Sequence, residues 1–411
     1  MKPTRRPCRA YAAPTLLILL ALAFAAPAMA APWTRSFAVT LYEPAFHYGG
    51  AAGTMAAPGS DCPNGTVPDN DYRRMLQTGW RSAAEIARLT APAPASIEPY
   101  RLLAPALHFR SPTPGIDSYI NPFTAPDPGL QAVSGRIAEG FDLDGRASTG
   151  GFASPDGRRG IDNAFYRALG CLMAFRGPPG QGALSARANA RMQAGLFTML
   201  IRLSGQGSPD NDAKVIVEIG ASPDALVRNA DGVVLRDYSY RLTKSAQYTR
   251  FSGRIRDGVL TAGPVARLKA PDFAWSESNR GEAVFLRGRL SLTIAPDGSA
   301  TGLIGGYRDW RELYARTAFN VAVEGPFLEI PYHMDLIALY YALARNADAD
   351  PDAKGRNRAI STAYRLAAVP AFAVDPPQPA MLPSTAPSSR VLRERALFRQ
   401  AEASRKIMPS P

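Results

Sequence analysis

The run FLRGRLSLTI, Phe285 to Ile294, constrains what this chain can fold into more than any other stretch. Leu286, Gly288, Leu290, Leu292 and Ile294 alternate with Arg287, Arg289, Ser291 and Thr293. A period of two sends successive side chains to opposite faces of a β-strand, here one apolar and one wet. An Asp297-Gly298 turn follows, and Ala300 to Tyr307 returns as the partner strand of a hairpin. The same texture holds from Gly195 onward. Tyr238, Tyr240 and Leu242 alternate with Ser239, Arg241 and Thr243; Phe251 and Ile255 alternate with Arg250, Arg254 and Arg256, leading through Asp257-Gly258 into Val259 to Thr261. Leu196 to Leu203 and Val215 to Ile219 are more uniformly apolar, as strands covered on both faces are. Several short antiparallel strands with Asp-Gly turns predict a mainly β fold, an antiparallel β-sandwich or barrel, and periodicity does not choose between the two.

Around this core the organisation reads as five segments. Residues 1–30 form a signal peptide, with a basic head (Lys2, Arg5, Arg6, Arg9), an apolar middle from Leu16 to Ala26 and the small-residue site Ala28-Met29-Ala30. Residues 31–190 are a loop-rich N-terminal region, rich in Pro, Gly, Asp and Ser, with one helix predicted over Asp69 to Leu89. The antiparallel β domain spans 191–372 and ends in a helix over Tyr332 to Arg345 and a closing strand over Ala359 to Phe372. A Pro-rich linker (373–389) and a basic helical tail (390–411) complete the chain.

Export decides how the cysteines read. Cys8 leaves with the signal, and Cys62 and Cys171 remain as an even pair in an oxidising compartment, periplasmic or secreted, where a disulfide is expected. The formal charge of +12 is concentrated at the ends. The first thirty residues carry +4 and the tail another +4, leaving +4 over the body. That argues against a nucleic-acid footprint. No second long apolar stretch follows the signal, so no transmembrane segment is expected in the mature chain.

The segment most informative about chemistry is FDLDGRASTGGFASPDGRRGIDNAFYRALGC, Phe141 to Cys171. Asp142 and Asp144 present two carboxylates from one tight turn, and Asp156, Asp162 and Asn163 add oxygen donors after glycine-rich bends. Hard oxygen ligands on Gly-containing loops suit Ca²⁺, which takes six to eight of them at about 2.3 to 2.6 Å. The same residues also cap turns by bonding their own backbone, which is the competing reading. The strings F-D-L-D-G and S-P-D-G-x-x-G-I-D-N, followed by an aromatic residue, resemble a signature of uncharacterised exported proteins of proteobacteria, myxobacterial ones included. The resemblance covers about thirty residues, and it implies the same address and a shared structural module, with no activity to carry over. A second acidic loop, Asn346-Ala-Asp348-Ala-Asp350-Pro-Asp352, lacks the glycine and the closing acid of an EF-hand and reads as a solvated loop.

Other chemistries lack their residues. His47, His108 and His333 have no zinc-ligand spacing, no C-x-x-C occurs, and G-x-S-x-G and phosphate-loop patterns are missing. The reading is an exported, non-catalytic binding or accessory protein of the cell envelope, stabilised by a disulfide and by calcium, with an envelope protein or glycan as partner. The alternative is a hydrolase of envelope polysaccharide using paired carboxylates, with Glu324 and Glu329, or Asp272 and Glu277, as candidates.

Overall fold

The computed structural model describes residues 31–48, 61–62, 82–89, 91, 115–116, 121–146, 151–195, 197–243, 249–272, 281–316 and 336–375. The signal segment, the basic tail, all of the linker beyond Asp375, His108, His333, Glu277, Glu324 and Glu329 lie outside the described residues, as does the predicted helix of 69–89 ahead of Ser82.

The strands are β1 (Trp33–Pro44), β2 (Phe152–Ala153), β3 (Arg159–Ile161), β4 (Thr198–Gly205), β5 (Asp212–Ser222), β6 (Tyr238–Arg241), β7 (Thr249–Arg256), β8 (Val259–Pro271), β9 (Glu282–Ile294), β10 (Ala300–Asp309), β11 (Ala349–Pro351) and β12 (Asn357–Val374). The helices are α1 (Ala83–Leu89), α2 (Ala164–Leu169), α3 (Ala183–Gln193) and α4 (Leu336–Asn346), with a further helical stretch over 310–316. Eight strands run antiparallel in the order β1-β4-β5-β7-β8-β9-β10-β12, and β12 returns to β1 with Ser36 opposite Ala371 and Pro44 opposite Tyr364. The sheet is therefore a closed barrel rather than a sandwich, and closure leaves neither of those strands an open edge. β6 and β11 are short additions along β12. The predicted closing strand is β12, whose backbone bonds β1 and β10 at once.

The barrel interior is apolar. Val39, Ile201, Val217, Leu260, Leu290, Leu292, Ile304 and Leu366 are buried in one cluster, while Arg250, Arg254 and Arg256 of β7 face out and are exposed. Apolar inside and charged outside is the reverse of a lipid-facing barrel. One expectation about the faces needs correcting. In β9 the alternation changes phase at Arg287, where φ is +53° and two residues of β9 stand opposite one of β10. Ahead of that bulge Ala283 and Phe285 point inward, and after it Leu290, Leu292 and Ile294 do. Leu286 is thereby turned to the outer face, where it packs with Leu143, Tyr307 and Ala359.

The boundary expected at residue 190 does not separate two units. β1, from the segment read as loop-rich, is a barrel strand, and α3 lies against it. The Tyr42 N–H donates to Asn189 Oδ1 at 2.8 Å and Gln193 Nε2 donates to the Thr40 carbonyl at 3.0 Å. Ala188 and Met192 join the interior cluster. The remaining loops gather on a second core with α2 and α4, built from Phe46, Phe165, Phe175, Trp310 and Leu339. Cys62 and Cys171 are bonded within it and both are fully buried. Beside the bond, Asp61 forms a buried ion pair with Arg176 and accepts from the Tyr166 hydroxyl at 3.1 Å. Arg365 of β12 ties this layer to the barrel, bonding Glu43 of β1 at 2.7 Å and Glu139 at 2.6 Å.

Candidate metal centre

The D-L-D-G segment is placed by a hydrophobic peg and a backbone bridge. Leu143 is buried against Tyr307 and Ala359, and Phe141 pairs with Asp162, whose N–H donates to the Phe141 carbonyl at 2.8 Å. Gly145 has φ of +78°, a left-handed conformation that a side chain disfavours, and this lets the chain reverse directly after Asp144. Backbone N–H groups fix each carboxylate. Asp142 Oδ1 accepts from Gly145 N at 2.6 Å and Asp144 Oδ1 from Arg146 N at 2.8 Å. Asp162 Oδ2 accepts from the N–H groups of Leu143 (2.7 Å) and Asp144 (3.2 Å).

Turn capping by Asp142 and Asp144 is what the competing reading expected, and among the described residues the second carboxylate oxygen of each of the three accepts no hydrogen bond. Asp142, Asp144 and Asp162 each offer one ligand oxygen, all within 4.8 Å of one another, so the group can hold a metal ion. Burial pushes the Asp162 carboxyl up to about 6, the Leu143 N–H opposes it, and the negative charge of Asp144 adds to the rise. Among the described residues, no arginine or lysine forms an ion pair with these three.

Two of the five expected donors do other work. Asp156 is exposed on the turn between β2 and β3, where Gly157 N donates to the Ser154 carbonyl at 2.9 Å. Its carboxylate accepts from the Ser154 hydroxyl and pairs with Arg158 at 3.1 Å, and the Ser154 bond above all holds it below the usual carboxylate range. Asn163 is buried and caps α2: its Oδ1 accepts from Tyr166 N at 3.1 Å, and its amide donates to the carbonyls of Ala45 (3.0 Å) and Glu139 (2.8 Å). An Asn that latches three backbone segments has little left for an ion.

Asp348 lines the same cavity as Asp144 and Asp162 and stands outside the group of three. The second acidic loop is in part the solvated loop it reads as, since Asp350 pairs with Arg358 and Asp352 with Arg356 at the surface. Asp348 differs. The residue is exposed, yet its carboxylate bonds fully buried Ser361, accepting from the backbone N–H at 2.8 Å and the hydroxyl at 2.6 Å. Ser361 Oγ also accepts from Ala164 N at 2.8 Å, two residues past Asp162. Burial raises the Asp348 carboxyl, and the Asp144 charge adds to the rise while the bonds from Ser361 oppose it. The alternating acids marked this loop; only the fold selects which of them turns inward.

Of the four acids named for the hydrolase alternative, Asp272 alone is among the described residues. Asp272 is buried in a two-point ion pair with Arg308 at 2.9 and 3.0 Å, with Arg316 at 3.3 Å.

Fold and site together define a class: a closed up-and-down antiparallel barrel carrying a loop layer with an acidic cluster at its outer face. No family model, curated protein or solved structure matches the chain.

Proposed function

We propose that this is an exported, non-catalytic binding or accessory protein of the cell envelope whose loop face is set by a bound Ca²⁺ ion. The observation that carries the reading is the convergence of Asp142, Asp144 and Asp162 without a basic partner among the described residues. Carboxylates brought together at this spacing repel one another, and a divalent cation removes that penalty. Ca²⁺ suits such a set of carboxylates better than Mg²⁺, because it accepts longer and less regular oxygen coordination, whereas Mg²⁺ demands a tight octahedron and keeps its waters. The buried Cys62–Cys171 bond is compatible with an oxidising compartment. No helix among the described residues is long and apolar enough to cross a membrane. The partner is expected to be an envelope protein or glycan held by the loop face.

The test is a thermal melt of the mature protein. EDTA should lower the melting temperature, and added Ca²⁺, not Mg²⁺, should restore it. At Ca²⁺ a hundredfold above its dissociation constant the shift corresponds to about 2.7 kcal/mol. An unchanged melt in EDTA, with no Ca²⁺ detected by titration calorimetry, removes the proposal.

A further inference from the structure

We propose that the outer face of β7, β8 and β9 binds an acidic polysaccharide, through arginines that the fold leaves without counter-charges. The inference is independent of the cation reading, and it takes from the proposed address only which polyanion lies within reach.

Elsewhere on the barrel wall, outward arginines are answered by acids. Arg202 of β4 pairs with Glu218 at 2.7 Å and Asp375 at 2.9 Å, and Arg365 of β12 pairs with Glu43 and Glu139. Across β7, β8 and β9 this stops. Glu282 is the one acid in the three strands and Lys269 takes it at 3.1 Å, while Arg250 reaches Glu218 of β5 at 3.5 Å. Arg254 and Arg256 of β7, Arg267 of β8 and Arg289 of β9 form no ion pair with any described residue. Lys214, exposed in the β5 bulge beside Arg254, adds a fifth unpaired cation. The four arginines share the outer face, because their strand neighbours Ile255, Leu268 and Leu290 point into the barrel core. Like charges held this close repel one another, and an anionic chain laid across them removes that repulsion.

Shape and chemistry select the polyanion. The register sets Arg254, Thr261 and Ser291 side by side, then Arg256, Val259 and Thr293, while Arg267 stands opposite Leu286. From Leu286 to Thr293 is roughly 20 Å of strand, so the charges form a band suited to a chain rather than to one small anion. The residues Ser252, Thr261 and Thr293 are exposed on the same strands, and their hydroxyls can bond those of a sugar. Arginine holds carboxylate, sulfate or phosphate groups by two parallel bonds. Val259 is the one large apolar side chain exposed on these three strands, and no aromatic ring is exposed there. Neither insertion into a bilayer nor stacking on nucleic-acid bases has the residues it needs.

Titration calorimetry of the full mature chain with polygalacturonate, heparin and neutral dextran tests this. Both acidic chains should bind and dextran should not. Arg254→Glu with Arg256→Glu should weaken binding at least about tenfold, which is what one charge-assisted hydrogen bond contributes. Arg136→Glu with Arg159→Glu, two exposed arginines of the loop layer, changes the net charge equally. That variant should lose less than about twofold at about 0.15 M salt, where charges more than about 8 Å away are screened. The inference falls if neither acidic chain binds, if dextran binds as tightly, or if the Arg254 and Arg256 variant keeps the parent's affinity. Phosphatidylglycerol vesicles bound in place of both acidic chains would assign the face to lipid and overturn it as well. Should the glutamate pair fail to fold, Arg254→Gln with Arg256→Gln is read by the same criterion. None of these outcomes touches the cation reading, which the EDTA melt decides.

Discussion

Asp272→Ala is expected to lower the free energy of unfolding by about 3 to 5 kcal/mol, the cost of leaving one half of a buried ion pair without its partner. Arg308 is fully buried near one end of the barrel, bonded to both oxygens of Asp272 and to the Tyr364 hydroxyl at 2.9 Å, with its guanidinium 5.7 Å from the Phe285 ring centre. Burial acts to strip its charge, and Asp272 more than offsets this, so the guanidinium remains charged. Removing the carboxylate leaves that charge in an apolar interior with one phenol for company. Asp272→Asn, which keeps the shape and loses the charge, should fall between the alanine variant and the parent. The double change Asp272→Leu with Arg308→Met should recover much of the loss, because it removes both charges together. Equilibrium urea unfolding measures all three. A loss below about 1 kcal/mol for Asp272→Ala, the range of an exposed pair, would show that the buried pair does not hold this end of the barrel.

Replacing both Cys62 and Cys171 by alanine is expected to cost about 4 to 5 kcal/mol, because the bond closes a loop of 109 residues that the unfolded chain would otherwise explore freely. Among the described residues the layer it secures is poor in regular structure: α1 and α2 are short, and Asp61 ahead of them accepts bonds from Tyr166 of α2 and from Arg176 beyond it. Entropy recovered on unfolding is large for such a layer. The unfolding midpoint of the double variant against the parent gives the loss, and intact mass of the non-reduced parent should show no free thiol at either position. A variant as stable as the parent to within about 1 kcal/mol would mean that packing in this layer suffices without the staple.

The candidate site was half legible. Asp142 and Asp144 stand out because they share a tight turn, which holds their carboxylates wherever the rest of the chain goes, whereas Asp162 meets them through its bridge to Phe141. Asp156 and Asn163 carried the same local signal and proved to be a turn acid and a helix cap, since spacing alone does not say whether a donor points to solvent, to backbone or to a shared centre. Asp348 carried a signal shared with Asp350 and Asp352, and its inward turn depends on Ser361 of β12. Tyr307 carried none, because its direction is set by an extra residue in the neighbouring strand.

The amino-acid sequence by itself determined the strand texture, the wet and dry faces away from bulges, and the pairing of Cys62 with Cys171. All of these follow from periodicity or counting, which are local. Barrel rather than sandwich was decided only in three dimensions, where β1 meets β12 across more than three hundred residues. Alternation records which side chains share a face, and it holds no information about which strand lies alongside. For the same reason the cavity that Asp144, Asp162, Tyr307 and Asp348 line belongs to the closed barrel: it exists only once β10 and β12 are paired and Leu143 has docked on their outer face.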